Sequence, residues 1–124
     1  MGTVNAFLVE DNPVLRESLS GTLEELTPVR VVGSADDEQG AVAWLRDHRD
    51  GCDLVVIDIF LKRGSGLGVL LAAHEIDRSL KLVVLSNWAT PDMRRRCLEL
   101  GASQVFDKSG EIDELIGYCS DLAA

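Results

Sequence analysis

Short apolar runs alternate with longer segments of mixed polarity along the whole chain. Five of these runs are predicted to form strands, at positions 6–9, 29–32, 54–57, 82–85 and 104–106. The third and fourth runs are apolar at every position, which is typical of strands that are covered on both faces. The second run is expected to end at Gly33. Strands that alternate with helices indicate a parallel sheet with helices on both faces, a doubly wound α/β architecture.

Local signals place the helix ends between these strands. Asn12 and Thr90 each precede a proline, which is typical of a helix cap followed by proline in the first turn. Gly101 is expected to end the fourth helix. Leucines at helical spacing predict the buried face of the first helix. They are Leu15, Leu19, Leu23 and Leu26. The chain is therefore predicted to repeat a strand and a helix five times, as (βα)5.

Length and charge narrow the class of protein. A chain of 124 residues suits one domain, which is expected to cover residues 1–124. Asp and Glu number 21 against 12 Lys and Arg, and the net charge of −9 argues against direct binding to nucleic acid. No apolar run approaches the roughly 20 residues that span a bilayer, and no signal peptide is visible. We therefore expect a cytoplasmic protein with no membrane contact, and reduced thiols at Cys52, Cys97 and Cys119.

Polar residues stand at four of the predicted strand ends, where doubly wound sheets bind their ligands. They are Glu10 and Asp11 after the first strand, Asp58 at the end of the third, Ser86 at the end of the fourth and Lys108 after the fifth. Three carboxylates that repel one another suit a hard cation such as Mg²⁺. A lone lysine beside them is a point charge for a phosphoryl group. The pattern indicates a carboxylate that carries a phosphoryl group next to Mg²⁺.

Four stretches of the chain carry a resemblance to a known family. They are FLVEDNPVLRESL, LVVIDIFLKRGSGLGVL, LVVLSN and LELGASQVFDKS. Together they resemble the receiver domain of bacterial two-component response regulators, over essentially the whole chain. The resemblance implies a flavodoxin-like sheet with strand order 2-1-3-4-5, an order for which a receiver is a known example. It also implies that residues 1–124 are a receiver domain, with no output domain in this chain.

The resemblance implies a role for each acidic residue at the strand ends. Asp58 matches the aspartate that accepts a phosphoryl group from a histidine kinase or phosphotransfer protein. Glu10, Asp11 and Asp58, with the backbone carbonyl of Phe60, match the groups that hold Mg²⁺. The domain is then expected to be a phosphoacceptor switch, not an enzyme for an external substrate. It would catalyse only its own phosphotransfer and slow autodephosphorylation.

Three other residues match the groups that sense phosphorylation in this family. Ser86 matches the hydroxyl residue that senses the phosphoryl group, and Lys108 matches the lysine that contacts it. Phe106 matches the aromatic switch residue, whose ring turns inward on activation. None of the chemically essential residue types is missing, so the resemblance implies a receiver that responds to phosphorylation.

The surroundings of Asp58 and Ser86 depart from the family in ways that affect dephosphorylation. Leu61 and Lys62 stand where family members often have Met-Pro, and Asn87 stands where a small residue is usual. Phe60 and Trp88 match the positions that flank the approach of water to the phosphoryl group. Because both side chains are bulky and mostly apolar, they and Asn87 are expected to tune dephosphorylation toward a long-lived phosphorylated form.

The basic run Arg94–Arg96 in the fourth helix has two interpretations. Such a run is commonly a solvated face, but here the next helix begins with the acidic residues Glu111, Asp113 and Glu114. In the family, the fourth helix, fifth strand and fifth helix form the face that partners or a second receiver contact. Helices 4 and 5 are therefore the expected surface for a homodimer or an output partner, with the arginines facing acidic residues of that partner.

Two other classes of function remain open from the residues. A phosphatase or phosphotransferase with an aspartyl-phosphate intermediate also has an aspartate at a strand end. It usually has a second aspartate two residues on, where this chain has Phe60. A flavodoxin-like cofactor binder would need a loop rich in Ser and Thr after the first strand. The stretch EDNPVL in that place is acidic instead, which does not suit a phosphate group.

Overall fold

Residues 2–122, which the computed structural model describes, form one sheet of five parallel strands with helices on both faces. The strands are β1 (Val4–Val9), β2 (Val29–Ala35), β3 (Leu54–Ile57), β4 (Lys81–Ser86) and β5 (Gln104–Asp107). The helices are α1 (Pro13–Leu26), α2 (Glu38–His48), α3 (Gly66–Ile76), α4 (Pro91–Glu99) and α5 (Ile112–Leu122), with a 3₁₀ turn at Arg49–Gly51. The strand order is β2-β1-β3-β4-β5, so the predicted doubly wound, flavodoxin-like (βα)5 fold is confirmed.

Two apolar cores lie on opposite faces of the sheet. Successive side chains of a strand point to opposite faces, so Phe7 and Val55 join one core while Leu8 and Val56 join the other. The helices cover these cores with Leu45, Leu70 and Cys97 on the first face, and with Leu23 and Leu115 on the second. Every residue of β3 is buried, as the continuous apolar run predicts. The central strands are therefore a rigid support for the residues at their carboxyl ends.

The predicted helix ends are confirmed in detail. The Asn12 side chain accepts hydrogen bonds from the N–H groups of Val14 and Leu15, and Thr90 accepts one from Met93 N–H. These contacts satisfy donors that the first turn of a helix leaves free. Gly101 follows the last turn of α4 and has a φ of +112°, which favours glycine.

Strand β2 is longer than predicted, because it continues past Gly33 to Ala35. A shift in register opposite Ala6 and Phe7 lets β2 keep its pairing with β1. A Cβ at position 33 would lie 2.7 Å from the indole of Trp44, which stacks on Phe7 with ring centroids 4.1 Å apart. Gly33 therefore marks a close packing contact within the strand and not its end.

The predicted buried face of α1 is correct for only part of the helix. Leu23 is fully buried and Leu19 is half-buried, but Leu15 and Leu26 are exposed. Both exposed leucines lie in the terminal turns of α1, where a helix has fewer neighbours than at its middle. Spacing alone could not show this, since all four leucines have a helical period.

The predicted reduced thiols are present in the structure. Cys52, Cys97 and Cys119 are free thiols buried in the two cores. Within residues 2–122, no helix combines the length and apolar character needed to cross a membrane.

Candidate functional site

Three carboxylates meet at the carboxyl edge of the sheet. Glu10 and Asp11 directly follow β1, and Asp58 directly follows the neighbouring strand β3. The N–H groups of Glu10 and Asp58 bond to the carbonyls of Ala35 and Val9, at 3.0 and 2.9 Å, and so extend the strand ladders by one residue. Glu10, Asp11 and Asp58 each offer an oxygen, and these oxygens lie within 4.8 Å of one another. The structure therefore brings together the three acidic residues that the sequence singled out.

Lys108 brings a positive charge to this acidic cluster. Its Nζ donates hydrogen bonds to Glu10 Oε1 at 2.6 Å and to Asp58 Oδ2 at 3.0 Å. Glu10 and Asp58 are buried and Lys108 is half-buried, with side-chain exposures of 6%, 10% and 12%. One ammonium offsets one of the three carboxylate charges, so within residues 2–122 the cluster keeps an excess of negative charge when it is ionised. That excess, and the hard oxygen donors, fit a divalent cation.

Burial and charge act in opposite directions on the pKa values in this cluster. Burial disfavours the charged form of Glu10 and raises its pKa, although the hydrogen bond from Lys108 opposes the shift. Burial lowers the pKa of Lys108, but its hydrogen bonds to Glu10 and Asp58 outweigh burial and leave that pKa raised. Lys108 is therefore a permanent positive charge at neutral pH.

The loop after Asp58 donates backbone hydrogen bonds to the acidic cluster. Asp11 Oδ2 accepts a hydrogen bond from Lys62 N–H at 2.7 Å, and Asp58 Oδ1 accepts one from Phe60 N–H at 3.4 Å. The loop returns to the sheet through Gly66, whose N–H bonds to the Ile59 carbonyl at 2.9 Å. A Cβ at position 66 would overlap the carbonyl oxygen of Asp58. Glycine at this position therefore allows α3 to begin directly against the end of β3.

Ser86 and Phe106 lie on the two strands beyond β3. Ser86 ends β4 at the same edge as Asp58 and is fully buried, and its Oγ accepts a hydrogen bond from Trp88 N–H at 3.0 Å. Phe106 is in β5 and is also buried, with its ring edge-to-face against Tyr118 at a centroid distance of 6.1 Å. The aromatic ring that matches the family's switch residue is thus turned inward in this structure.

Two large, mostly apolar side chains that follow Asp58 and Ser86 in the sequence are exposed to solvent. Phe60 and Trp88 are 54% and 64% exposed, and Asn87 is exposed between Ser86 and Trp88. Their side chains are therefore accessible to solvent, at the two positions that the family resemblance links to the approach of water.

The three arginines of α4 do not all face solvent. The expectation that Arg94 binds acidic residues of a partner is therefore corrected, because its guanidinium is bound within this chain. The Arg94 guanidinium donates to the carbonyls of Ala89 and Val105 at 3.0 and 2.8 Å, and it pairs with Glu111 at 2.6 Å. Arg95 pairs with Asp92 on the helix surface. Arg94 and Glu111 are therefore bound to each other within this chain and are not free to bind a partner as expected.

Sequence reasoning missed Glu38 at the start of α2. Its carboxylate accepts a hydrogen bond from Ser65 N–H at 2.8 Å, in the loop that follows Asp58. The signal that could have found it is the pair Gly64 and Gly68, whose missing side chains leave space for Glu38.

The fold and site together define a class, namely doubly wound α/β domains with an acidic cluster at the carboxyl edge of the sheet. Comparison with known proteins identifies the family within that class. Residues 6–119 match the family model of the response regulator receiver domain, so the chain belongs to that family. It is a phosphoacceptor domain of two-component signalling.

Individual relatives are similar over almost the whole chain. The response regulator UvrY of Escherichia coli (strain K12) is 27% identical over 116 residues, which cover 91% of this chain and 51% of UvrY. The signal receiver domain of the response regulator NarL from Mycobacterium tuberculosis has a TM-score of 0.86 at 24% identity and covers 99% of this chain and 98% of its own. The CheX–CheY–BeF3–Mg²⁺ complex from Borrelia burgdorferi gives a TM-score of 0.87 at 19% identity, with coverages of 98% and 90%. The chain thus spans about half the length of the curated relative it matches.

Proposed function

We propose that Asp58 is the residue that accepts the phosphoryl group, and that Glu10, Asp11 and Asp58 hold Mg²⁺ for this transfer. The observation that carries the proposal is the meeting of these three carboxylates within 4.8 Å, with Lys108 bonded to Glu10 and Asp58. Glu10 and Asp58 both have the lysine and the other carboxylates beside them, but Asp58 is the one that directly follows β3, the middle strand, and that matches the family's phosphoacceptor. The carbonyl of Phe60 is the proposed fourth protein ligand.

The proposed transfer is a single displacement at phosphorus. A carboxylate oxygen of Asp58 attacks the phosphorus of a phosphohistidine on a histidine kinase or phosphotransfer protein. The new O–P bond forms as the P–N bond breaks, and the imidazole leaves and takes up a proton. A bound Mg²⁺ supplies positive charge to the phosphoryl oxygens. Lys108, whose Nζ lies 3.0 Å from Asp58 Oδ2, supplies a second positive charge from the protein side.

The proposed response begins at Ser86 and Lys108. Ser86 Oγ accepts a hydrogen bond from Trp88 N–H, so its O–H can be donated to a phosphoryl oxygen. Lys108 would exchange its bond to the Asp58 carboxylate for a bond to the phosphoryl group. Ser86 and Lys108 would then make different contacts in the phosphorylated and unphosphorylated forms, and such a difference is required to shift the equilibrium between two conformations. Phe106, in the strand that Lys108 follows, is the proposed link to the face formed by α4, β5 and α5.

The partners proposed for this domain follow from its charge and surface. Val14 and Leu15 are exposed in the first turn of α1, and Leu15 lines a cavity of about 210 Å³ between α1 and α5 together with Glu10 and Lys108. This apolar margin suits a protein phosphoryl donor. The α4 and α5 face is proposed for a second copy or an output partner, and the net charge of −9 argues against direct contact with nucleic acid. Buried, free thiols suit the cytoplasm as the place of action.

The test is phosphorylation by a small donor in the absence of any kinase. Incubation with acetyl phosphate should add one phosphoryl group to the intact mass in the presence of Mg²⁺ but not of EDTA. The variant Asp58→Asn should gain nothing, and Asp53→Asn is the control because Asp53 lies at the opposite end of β3. A full gain in Asp58→Asn would refute the assignment.

A further inference from the structure

The β3–α3 loop, residues 58–65, passes close to the start of α2. Glu38, the first residue of α2, makes two hydrogen bonds with the backbone of this loop. Its Oε1 accepts from Ser65 N–H at 2.8 Å, and its own N–H donates to the Arg63 carbonyl at 3.2 Å. Because both loop partners are backbone groups, the contact fixes the path of the loop itself and not only one of its side chains.

Two glycines leave the space that Glu38 occupies. A Cβ at Gly64 would overlap the Cβ of Glu38, and a Cβ at Gly68 would overlap Glu38 Oε2. Gly64 also has a φ of +79°, where other residues are strained. Gly68 lies in the first turn of α3, where glycine is a poorer helix former than alanine. Gly64 therefore suits both its backbone conformation and the approach of Glu38, and that approach explains the cost of glycine at position 68.

The loop that Glu38 holds carries two backbone N–H groups that bond to the acidic cluster. Phe60 N–H bonds to Asp58 Oδ1, and Lys62 N–H bonds to Asp11 Oδ2 at 2.7 Å. A cation bound by Asp11 competes with Lys62 N–H for the same carboxylate. The bonds from Glu38 lie outside the acidic cluster and face no such competition. They can therefore hold the middle of the loop while Asp11 binds a cation.

We propose that Glu38 is a positioning residue for the phosphoacceptor site. It holds the β3–α3 loop so that the Phe60 carbonyl and the Asp58 carboxylate are directed to the same cation. Glu38 acts through the loop and touches neither the cation nor the phosphoryl group. The inference rests on the proposed function, because that function gives the loop backbone its role at the site.

The test compares two variants of Glu38 with one control variant of Glu24, another carboxylate that accepts a hydrogen bond from a backbone N–H. Glu38→Ala removes the acceptor, and Glu38→Gln keeps an oxygen in the same place. Glu24→Ala is the matched control, because Glu24 Oε2 accepts from Val31 N–H at 2.9 Å on another part of the molecule. One readout is Mg²⁺ affinity, measured from the amide chemical shifts of the β3–α3 loop. The other is the rate of phosphorylation by acetyl phosphate at saturating Mg²⁺.

We expect Glu38→Ala to bind Mg²⁺ about tenfold more weakly, as for residues that orient metal ligands without touching the metal. It should also be phosphorylated more slowly, and its Ser65 amide should exchange with solvent faster. Glu38→Gln should restore affinity and rate to near the wild-type values, and Glu24→Ala should change neither. A purely structural role would lower stability in the Glu38 and Glu24 variants alike, without the selective loss of Mg²⁺ affinity.

Gly68→Ala tests the same contact without removing Glu38. The added Cβ displaces the carboxylate, while alanine favours the helix. Gly68→Ala should weaken Mg²⁺ binding in the wild-type background but not in the Glu38→Ala background, since the two changes break one contact. If Glu38→Ala does not fold, Gly68→Ala carries the test by itself.

The outcomes separate this inference from the proposed function. If the wild type is phosphorylated and both Glu38→Ala and Gly68→Ala match it in Mg²⁺ affinity and rate, the positioning role is wrong. The positioning role is also wrong if the losses of Mg²⁺ affinity in Glu38→Ala and Gly68→Ala add in the double variant. If the wild type gains no phosphoryl group, the proposed function fails and the role of Glu38 fails with it.

Discussion

Lys108 is the residue on which the charge balance of the site depends. It bonds to two of the three carboxylates, and its raised pKa keeps it protonated. Sequence reasoning could place Lys108 at this edge, because it follows the last strand of a parallel sheet. The sequence could not show that Glu10, rather than Asp11, would share the lysine with Asp58. That choice depends on side-chain directions that strand order does not determine.

Removal of the Lys108 side chain should separate phosphorylation from the response. Lys108→Ala should still accept a phosphoryl group, but slower by about 100-fold, because one charge that stabilises the transferring group is lost. With beryllofluoride as a phosphoryl mimic, amide chemical shifts around Phe106 should change little in this variant. Lys81→Ala is the control, since Lys81 is exposed at the start of β4. Shifts around Phe106 as large as those of the wild type would disprove the coupling role.

The exposed aromatic side chains beside the site should slow dephosphorylation. Phe60 is two residues after Asp58 and Trp88 two residues after Ser86, both side chains are exposed, and neither has a carboxylate or amide to orient water. Phe60→Asn combined with Trp88→Glu should speed decay of the phosphorylated protein by about tenfold, or about 1.4 kcal/mol of barrier.

Decay is measured by intact mass in excess Mg²⁺ without any kinase. The control replaces two exposed leucines distant in sequence from Asp58 and Ser86, Leu26→Asn with Leu98→Glu. Decay of the aromatic double variant at the wild-type rate would show that these side chains do not control the lifetime.

At the scale of helices and strands, Arg94 links α4 to β5 and to the residue directly before α5 through one guanidinium. It bonds to the carbonyls of Ala89 and Val105 and to the Glu111 carboxylate. The sequence indicated complementary charges on adjoining helices, but it could not show whether the partner was in the same chain.

The end of β2 was also not predictable from the sequence, because buried and exposed residues alternate in the last part of this strand. The continuous apolar runs of β3 and β4 were predictable because burial on both faces leaves a clear pattern.

The Arg94–Glu111 pair should contribute stability that depends on pH. The hydrogen bond from Arg94 lowers the pKa of Glu111 from its ordinary value of 4.5. A lowered pKa in the folded state gives stability that is present above pH 4.5 and is lost as the pH falls through the folded value. Urea unfolding should show that Glu111→Gln loses stability at pH 7 and differs less from the wild type at pH 3.

The exposed pair Arg95–Asp92 provides the comparison for this experiment. Asp92→Asn should change stability at pH 7 less than Glu111→Gln does, because exposed pairs on one helix contribute little. An equal effect of the two variants would contradict a special role for Arg94 in linking α4 to β5 and to Glu111.

At the scale of the whole molecule, both cores contain ionisable thiols that folding keeps neutral. Burial raises the pKa of Cys52 and of Cys119 from 9.0 to about 11. A raised pKa in the folded state means that stability is unaffected below pH 9 and falls as the pH rises from 9 toward 11. The loss should reach about 2 kcal/mol for each thiol near pH 11, since one pKa unit corresponds to about 1.4 kcal/mol and the folded thiol is half ionised at that pH.

This prediction is measured by urea unfolding between pH 7 and pH 10.5, together with thiol labelling. Iodoacetamide at pH 8.5 should label none of the three cysteines in the native protein and all of them in denaturant. Rapid labelling of the native protein would show that the cores open more readily than their packing implies.

The central claim is that Asp58 carries the phosphoryl group, and borohydride trapping tests it most directly. Reduction converts an aspartyl phosphate to homoserine, which peptide mapping locates by residue. After incubation with acetyl phosphate, the account predicts homoserine at position 58 when Mg²⁺ is present and none when EDTA replaces it. Homoserine at Asp11 or at another carboxylate, or an equal yield at position 58 in EDTA, would contradict the account.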